Sequence, residues 1–258
     1  MMAGSPLRWW IPKQYGAWAM MLAPILTGIV AAGIRWQEIV LFVAWISAYL
    51  GYMAVRNWLP RHKSNYVAPM VTYVVLCVSS VVTLLVWRPA LLWWAAPLVV
   101  FVGASLALVL TGRERSVLND AFLITASCLM TVVAATARHL GPGVSWESFT
   151  QGSFQKGAWV MAGVFAGYFW GTIFYVKTMI RERGKTSWYV GSVVYHVVYL
   201  VPAFMVNVFA GLVAVLIAAR AAVVPKRWPK AKPAVIGVAE ICITVLMMVV
   251  LILTVPLG

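Results

Sequence analysis

Three features of the sequence predict an all-α fold: a polytopic membrane helical bundle of nine transmembrane helices in a single integral membrane domain, residues 1–258. Hydrophobic residue types make up 63% of the chain and charged ones only 10%, where soluble chains carry roughly 25% charged residues. Apolar runs of about 20 residues, each enough to cross ~30 Å of hydrocarbon as a helix, recur along the whole length. The Lys and Arg residues, moreover, collect in alternate connections between those runs, as the bias of positive charge toward the cytoplasm requires.

Taken in order, the spans are expected at about 15–34, 38–56, 67–87, 89–110, 117–137, 158–178, 187–201, 203–223 and 234–256. The first lies behind Arg8 and Lys13 and is longer than the apolar region of a signal peptide, so it is expected to be retained. Pro60 breaks the chain after the second span. The seventh and eighth come from one apolar stretch too long for a single crossing, with Pro202 as the expected fold point of a hairpin. The connection 138–157 contains GPGVSWESF and is expected to carry a short interfacial helix. Fourteen tryptophans, several near span ends (Trp9, Trp10, Trp36, Trp58, Trp87, Trp188, Trp228), fit interfacial belts that anchor the protein. Cys77, Cys128 and Cys242 stand alone in apolar runs, which indicates packing rather than a disulfide framework or zinc site.

Placing the N-terminus in the cytoplasm puts 16 of the 20 Lys and Arg inside and leaves only Arg35, Arg88, Arg138 and Lys156 outside. The expected location is the bacterial cytoplasmic (inner) membrane, N-terminus in and C-terminus out. This bias accounts for most of the net charge of +14, and no nucleic-acid module accompanies it, so nucleic acid is not an expected partner.

Four inner segments hold polar residues that topology does not explain. WIPKQYGAW places Lys13 and Gln14 at the mouth of the first span. GYMAVRNWLPRHKSNY ends the second span with Arg56 and Asn57. GRERSVLND supplies Arg113, Glu114 and Arg115, then Ser116 as helix N-cap with Asn119 and Asp120 in the first turn. Two readings of this segment stand: Asn119 reaches back to the cap while Asp120 complements the helix dipole, or both face a cavity or partner as they enter the membrane. The fourth segment, FAGYFWGTIFYVKTMIRERGKTSW, is predicted to stay helical from Phe165 into its charged end, with Gly184 as the stop. Lys177, Arg181 and Lys185 would then stack on one face. A positive-inside anchor explains any one of them; the column of three calls for an anionic partner from a helix, a lipid headgroup or a substrate.

Glu38 is expected at the interface. Glu240, inside the ninth span, is expected to snorkel to the inner surface or pair with a basic loop residue. His196 either handles a proton or hydrogen-bonds to a neighbouring helix. Three scattered His residues indicate neither haem nor a metal centre, and there is no Gly-rich phosphate loop and no Ser/His/Asp arrangement.

PKQYGAWAMMLAPILTG, GRERSVLND and FYVKTMIRERG, in this order and spacing, resemble the bacterial YwiC-like membrane proteins, with Tyr15 where many members carry His. More distantly, the architecture resembles the UbiA superfamily of intramembrane prenyltransferases. The resemblance implies nine helices around a cavity open to the cytoplasm and two Asp-rich motifs, NDxxDxxxD and DxxxD, that bind Mg²⁺ and a prenyl diphosphate. TMIRERGKTSW is similar to the surroundings of the second motif, but the Asp residues are missing. Arg56, Asn57, Arg61, His62 and Lys63 stand in the first motif's place, and Lys177, Arg181, Glu182 and Arg183 in the second's. Mg²⁺ needs hard oxygen ligands, usually carboxylates, so no cofactor is expected and Mg²⁺ is disfavoured. Guanidinium and ammonium groups hold phosphate oxygens without metal.

The resemblance therefore implies a UbiA-like membrane transferase, or a lipid-phosphate-binding protein, acting on an isoprenoid or other anionic lipid at a basic cytoplasm-facing site. Lys13, Gln14, Arg56, Arg113, Arg115, Asn119, Lys177 and Arg181 are the expected substrate-binding residues. Asp120 and Glu182 are the expected catalytic or orienting carboxylates. The balance leans toward an enzyme. Two alternatives from other classes stand beside it: a non-enzymatic transporter or binder of an anionic lipid or metabolite, and a structural or assembly subunit with membrane-protein partners.

Overall fold

A computed structural model of the chain describes residues 9–12, 15–60, 62–140 and 143–257. All regular secondary structure among the described residues is helical, as a segment crossing lipid requires when every backbone polar group must be satisfied internally. The long helices are α1 (Tyr15–Ala32), α2 (Trp36–Trp58), α3 (Val67–Trp87), α4 (Leu92–Leu110) and α5 (Val117–Thr136), and then α7 (Lys156–Met179), α8 (Thr186–Val206), α9 (Val208–Arg227) and α10 (Pro233–Thr254). A short α6 (Trp146–Ser153) lies in the connection expected to hold one. Eight of the long helices are long and apolar enough to cross a membrane; α1, at 18 residues, is apolar but shorter. The chain is a multi-pass helical membrane protein.

The fold divides into two compact units, one of Met1–Gln14, Ala32–Ala126 and Val133–Phe154, the other of Tyr15–Ala31, Ser127–Val132 and Gln155–Gly258. In the first unit α2 packs along α3. Tyr52 on α2 meets Ser105 on α4 in a buried hydrogen bond of 2.7 Å. The far end of this unit carries an aromatic cluster in which Trp93 stacks edge-on against Trp146 of α6 and donates to the Val144 carbonyl.

In the second unit α7, α8, α9 and α10 pack as sequential neighbours, with α7 also touching α9 and α10. Tyr175, Met179, Ala221 and Ile236 form a buried seam of α7, α9 and α10. Tyr199 and Tyr195 on α8 donate to the carbonyls of Val164 and Gly167 on α7.

Two sequence expectations need correction here. The hairpin between α8 and α9 turns at Asn207, not at Pro202, which lies inside α8. A proline deletes one backbone donor and can be carried within a helix whose neighbours support it. Asn207 is extended (φ −169°), its side chain accepts from the Ala210 amide at 2.9 Å, and its amide group reaches Thr254 on α10 at 3.0 Å. That is a true N-cap. The second correction concerns the charged end of α7. The helix stops at Met179, and the amides of both Arg181 and Glu182 turn back to the Lys177 carbonyl. Arg181 and Lys185 therefore lie in the turn that follows, and the one-faced column with Lys177 does not form. Gly184, at φ +84°, serves that turn rather than ending the helix.

Candidate functional site

Of the residues expected at a basic site, Arg56, Arg113, Arg115 and Asn119 lie within the first unit, at the end where α2 finishes and α5 begins. Its scaffold is the α4–α5 turn. Gly112 takes φ +70°, a conformation that suits glycine. The Gly112 and Arg113 amides close back on the Val109 and Leu108 carbonyls, a Schellman closure of α4. The chain then reverses through Arg113, Glu114 and Arg115, and Ser116 caps α5 by accepting from the Asn119 amide at 3.1 Å.

Glu114 is the centre of this mouth. Its carboxylate lies 3.8 Å from Arg56 Nε and 3.6 Å from Arg115 Nε. The side chains of Arg56 and Glu114 are 16% and 30% exposed, whereas that of Arg115 is 73% exposed. At 3.8 Å the Arg56 contact is an ion pair without a hydrogen bond, and the buried Nε has no hydrogen-bond partner. Arg113 is exposed on the same turn.

Asn119 is buried beneath, at 1% exposure. It does not reach back to the cap with its side chain: its amide nitrogen donates to the Glu114 carbonyl at 2.9 Å, and its oxygen accepts from Ser105 at 2.6 Å. Ser105 in turn meets Tyr52, so a polar thread runs from the mouth into the unit between α2, α4 and α5. Asp120 is half-buried in the first turn of α5, its amide on the Ser116 carbonyl.

The remaining expected residues fall elsewhere. Lys13 and Gln14, with Arg61, lie outside the described residues. Lys177, in the last turn of α7, and Arg181 and Glu182, just beyond it, belong to the second unit. There Glu182 is held by Lys185 at 2.6 Å. Arg183 donates to the Met179 carbonyl and toward Ala231. Glu114 faces two guanidiniums and Glu182 an ammonium, and among the described residues no three His, Cys, Asp or Glu side chains gather.

Sequence reasoning missed the most deeply buried ionic group of the second unit. Glu240, 3% exposed, neither snorkels nor pairs with a loop residue; it pairs with Arg220 of α9, itself buried. Arg220 was expected among the inner loop charges. From Arg220 to Arg227 and from Pro233 to Glu240 are equal steps of about 10 Å at 1.5 Å per residue, so an α9–α10 hairpin brings the two to one depth. Glu38, expected at the interface, is 1% exposed in the first turn of α2 and lines one cavity with Arg35 and Arg88.

Residues 11–135 match the family described as YwiC-like protein. The chain is similar to the Bacillus subtilis (strain 168) protein named "Uncharacterized protein YwiC", 29% identical over 72% of this chain and 73% of that protein. It is also similar to a Haemophilus influenzae (strain ATCC 51907 / DSM 11121 / KW20 / Rd) "Uncharacterized protein", 27% identical over 72% of this chain and 74% of that one. No solved structure matches.

Proposed function

From a chain whose residues 11–135 carry a YwiC-like domain, we propose a membrane protein that binds the phosphate headgroup of an anionic lipid, isoprenoid phosphates included, at the mouth formed by Arg56, Arg113 and Arg115. One observation carries this reading. The Arg56 guanidinium is held at the mouth by Glu114 at ion-pair distance while its Nε has no hydrogen-bond partner. Three guanidiniums against the carboxylates of Glu114 and Asp120 leave a local excess of positive charge, and guanidinium binds phosphate oxygens bidentately. Glu114 sets the direction of Arg56, and Asn119 fixes the turn from below. The acyl or prenyl chain would lie along the apolar helix faces. This mouth faces the cytoplasm of a bacterial inner membrane in the reading, with the C-terminus outside. A reporter fused after Gly258 should then be active only on the extracytoplasmic side.

Transferase chemistry is the stronger form of the proposal, with Asp120 at the start of α5 as its carboxylate. The test uses native mass spectrometry of the detergent-purified protein with short-chain phosphatidic acid and with farnesyl diphosphate, each in excess chelator. Retention of either probe, and its loss by tenfold or more in the R56Q/R113Q/R115Q variant, is expected. Equal retention by that variant overturns the site. A hundredfold fall on chelation, about 2.7 kcal/mol, would return the chemistry to a cation bridge. Turnover of farnesyl diphosphate by the purified protein separates a transferase from a binder.

A further inference from the structure

The second unit holds a buried polar group that the lipid-headgroup reading does not use. Glu240 Oε1 accepts from Arg220 Nη1, and its Oε2 accepts from Thr172 at 3.2 Å and Tyr168 at 3.5 Å. Tyr168 also meets Thr244 at 2.9 Å. The Arg220 guanidinium carbon sits 4.0 Å over the Tyr175 ring. Tyr168, Thr172 and Tyr175 share one face of α7 by their spacing. Glu240 is thus fully engaged, but Arg220 is not: its Nε and Nη2 are buried donors with no hydrogen-bond partner.

His196, 1% exposed on α8, completes the group. Its Nδ1 lies 2.6 Å from the Ser192 carbonyl. A carbonyl only accepts, so Nδ1 carries the hydrogen, and Nε2 of the neutral ring is left as an acceptor. That Nε2 is buried without a partner, as is Ser192 Oγ. A Cβ built at Gly171 would lie 2.8 Å from Nε2, so the ring edge rests against α7 next to Thr172, a ligand of Glu240. Arg220 is near enough for its charge to act on His196. Of the ionisable groups, Arg220 from α9 acts on the ring by its charge, and Tyr195 of its own helix stands edge-on to it with ring centroids 6.0 Å apart.

We propose that Arg220, Glu240 and His196 form an intramembrane site that takes up a small monoanion together with a proton, the anion on Arg220 Nε and Nη2 and the proton on His196 Nε2. Electroneutrality sets the coupling. Arg220 and Glu240 cancel, and His196 is neutral. An anion alone would leave one uncompensated negative charge in a buried site, and a proton alone one positive charge. Each is costly in low dielectric. Together they cancel, so one proton accompanies one anion, and no covalent bond is made or broken.

The test is isothermal titration calorimetry of the full-length protein in detergent, with sodium acetate and sodium chloride as probes, in two buffers of different ionisation heat. The expected result is about one proton taken up per anion, with affinity rising toward tenfold for each pH unit lowered above the His196 titration. H196Q should lose the proton uptake and the pH dependence. R220Q should lose anion binding; should it fail to fold because Glu240 is left unpaired, the R220Q/E240Q double variant is read instead. Absence of binding by both probes, binding without proton uptake, or unchanged uptake in H196Q overturns the proposal. R56Q/R113Q/R115Q should leave this binding intact, which separates its fate from that of the lipid-headgroup site.

Discussion

Each unit of this protein contains an Arg–Glu pair, and the two are built on opposite principles. The side chains of Arg220 and Glu240 are 7% and 4% exposed and are wrapped by Thr172, Tyr168 and the Tyr175 ring. Arg56 and Glu114 stand at a helix end, more exposed, with Arg115 sharing the carboxylate. Where water is excluded, either charge of a pair is tolerable only because the other is present, so the pair becomes a condition of the fold. At the mouth, water and neighbouring charges can replace a lost partner, and the pair contributes little to stability. Such a mouth can give its guanidiniums to a ligand. Depth, rather than residue type, decides which Arg–Glu pair holds the fold together and which can be spent on binding.

The comparison is broken most directly at Glu240. E240Q strands the Arg220 charge and should cost about 3–5 kcal/mol, seen as a large fall in the apparent unfolding temperature in detergent. The R220L/E240L double variant, which removes both charges, should recover most of that loss. An E240Q protein as stable as the wild type would show that the second unit does not depend on its pair. Next in size is G171A. Its Cβ would meet His196 Nε2 at 2.8 Å, so the ring must shift at a cost of about 1–3 kcal/mol by overpacking. Calorimetric proton uptake should weaken with it.

Much of the helix plan was legible, for physical reasons that also explain what was not. The start of α5 is written in local chemistry: Ser116 follows a glycine-stopped helix and precedes an apolar run, and it caps as expected. The α8–α9 turn was misplaced because Pro202 is a conspicuous breaker, whereas Asn207 sits between two valines and acts through a cap that apolar periodicity does not register. The glycine that announces the end of α7, Gly184, lies five residues beyond its last residue, Met179; the Lys177 carbonyl, taking two amides, ends the helix. In the candidate site, Arg56, Glu114, Arg115 and Asn119 meet because a short turn and a helix end enforce it. Arg220 and Glu240 were separable only as charges in different segments. Their equal distance from the α9–α10 turn was the signal that pairs them.

A smaller effect tests whether the mouth is held by its turn. S116A removes the cap of α5 and should cost about 1 kcal/mol, with headgroup binding weakened because Asn119 and Glu114 lose their register. Were S116A to lower stability as much as E240Q does, the mouth would be as integral to the fold as the buried pair, and the contrast would fail.

The smallest expected stability effect is at Arg115, and it sharpens the contrast most. The side chain is 73% exposed and reaches Glu114 at 3.6 Å. Surface changes of this kind stay within about ±0.5 kcal/mol, so R115Q should unfold with the wild type in thermal denaturation. Binding should respond differently. Removing one of three guanidiniums lowers the potential at the headgroup position, and phosphatidic acid affinity should fall several-fold. An exposed charge is also the one most screened by salt. Affinity measured across a salt series should therefore decline less steeply in R115Q than in the wild type, the two approaching each other at high ionic strength. R115K restores the charge without the planar fork and should recover the salt slope but not the full affinity. Parallel salt curves for all three proteins would mean that Arg115 merely holds Glu114, and the headgroup would then have to be sought at Arg56 and Arg113 alone.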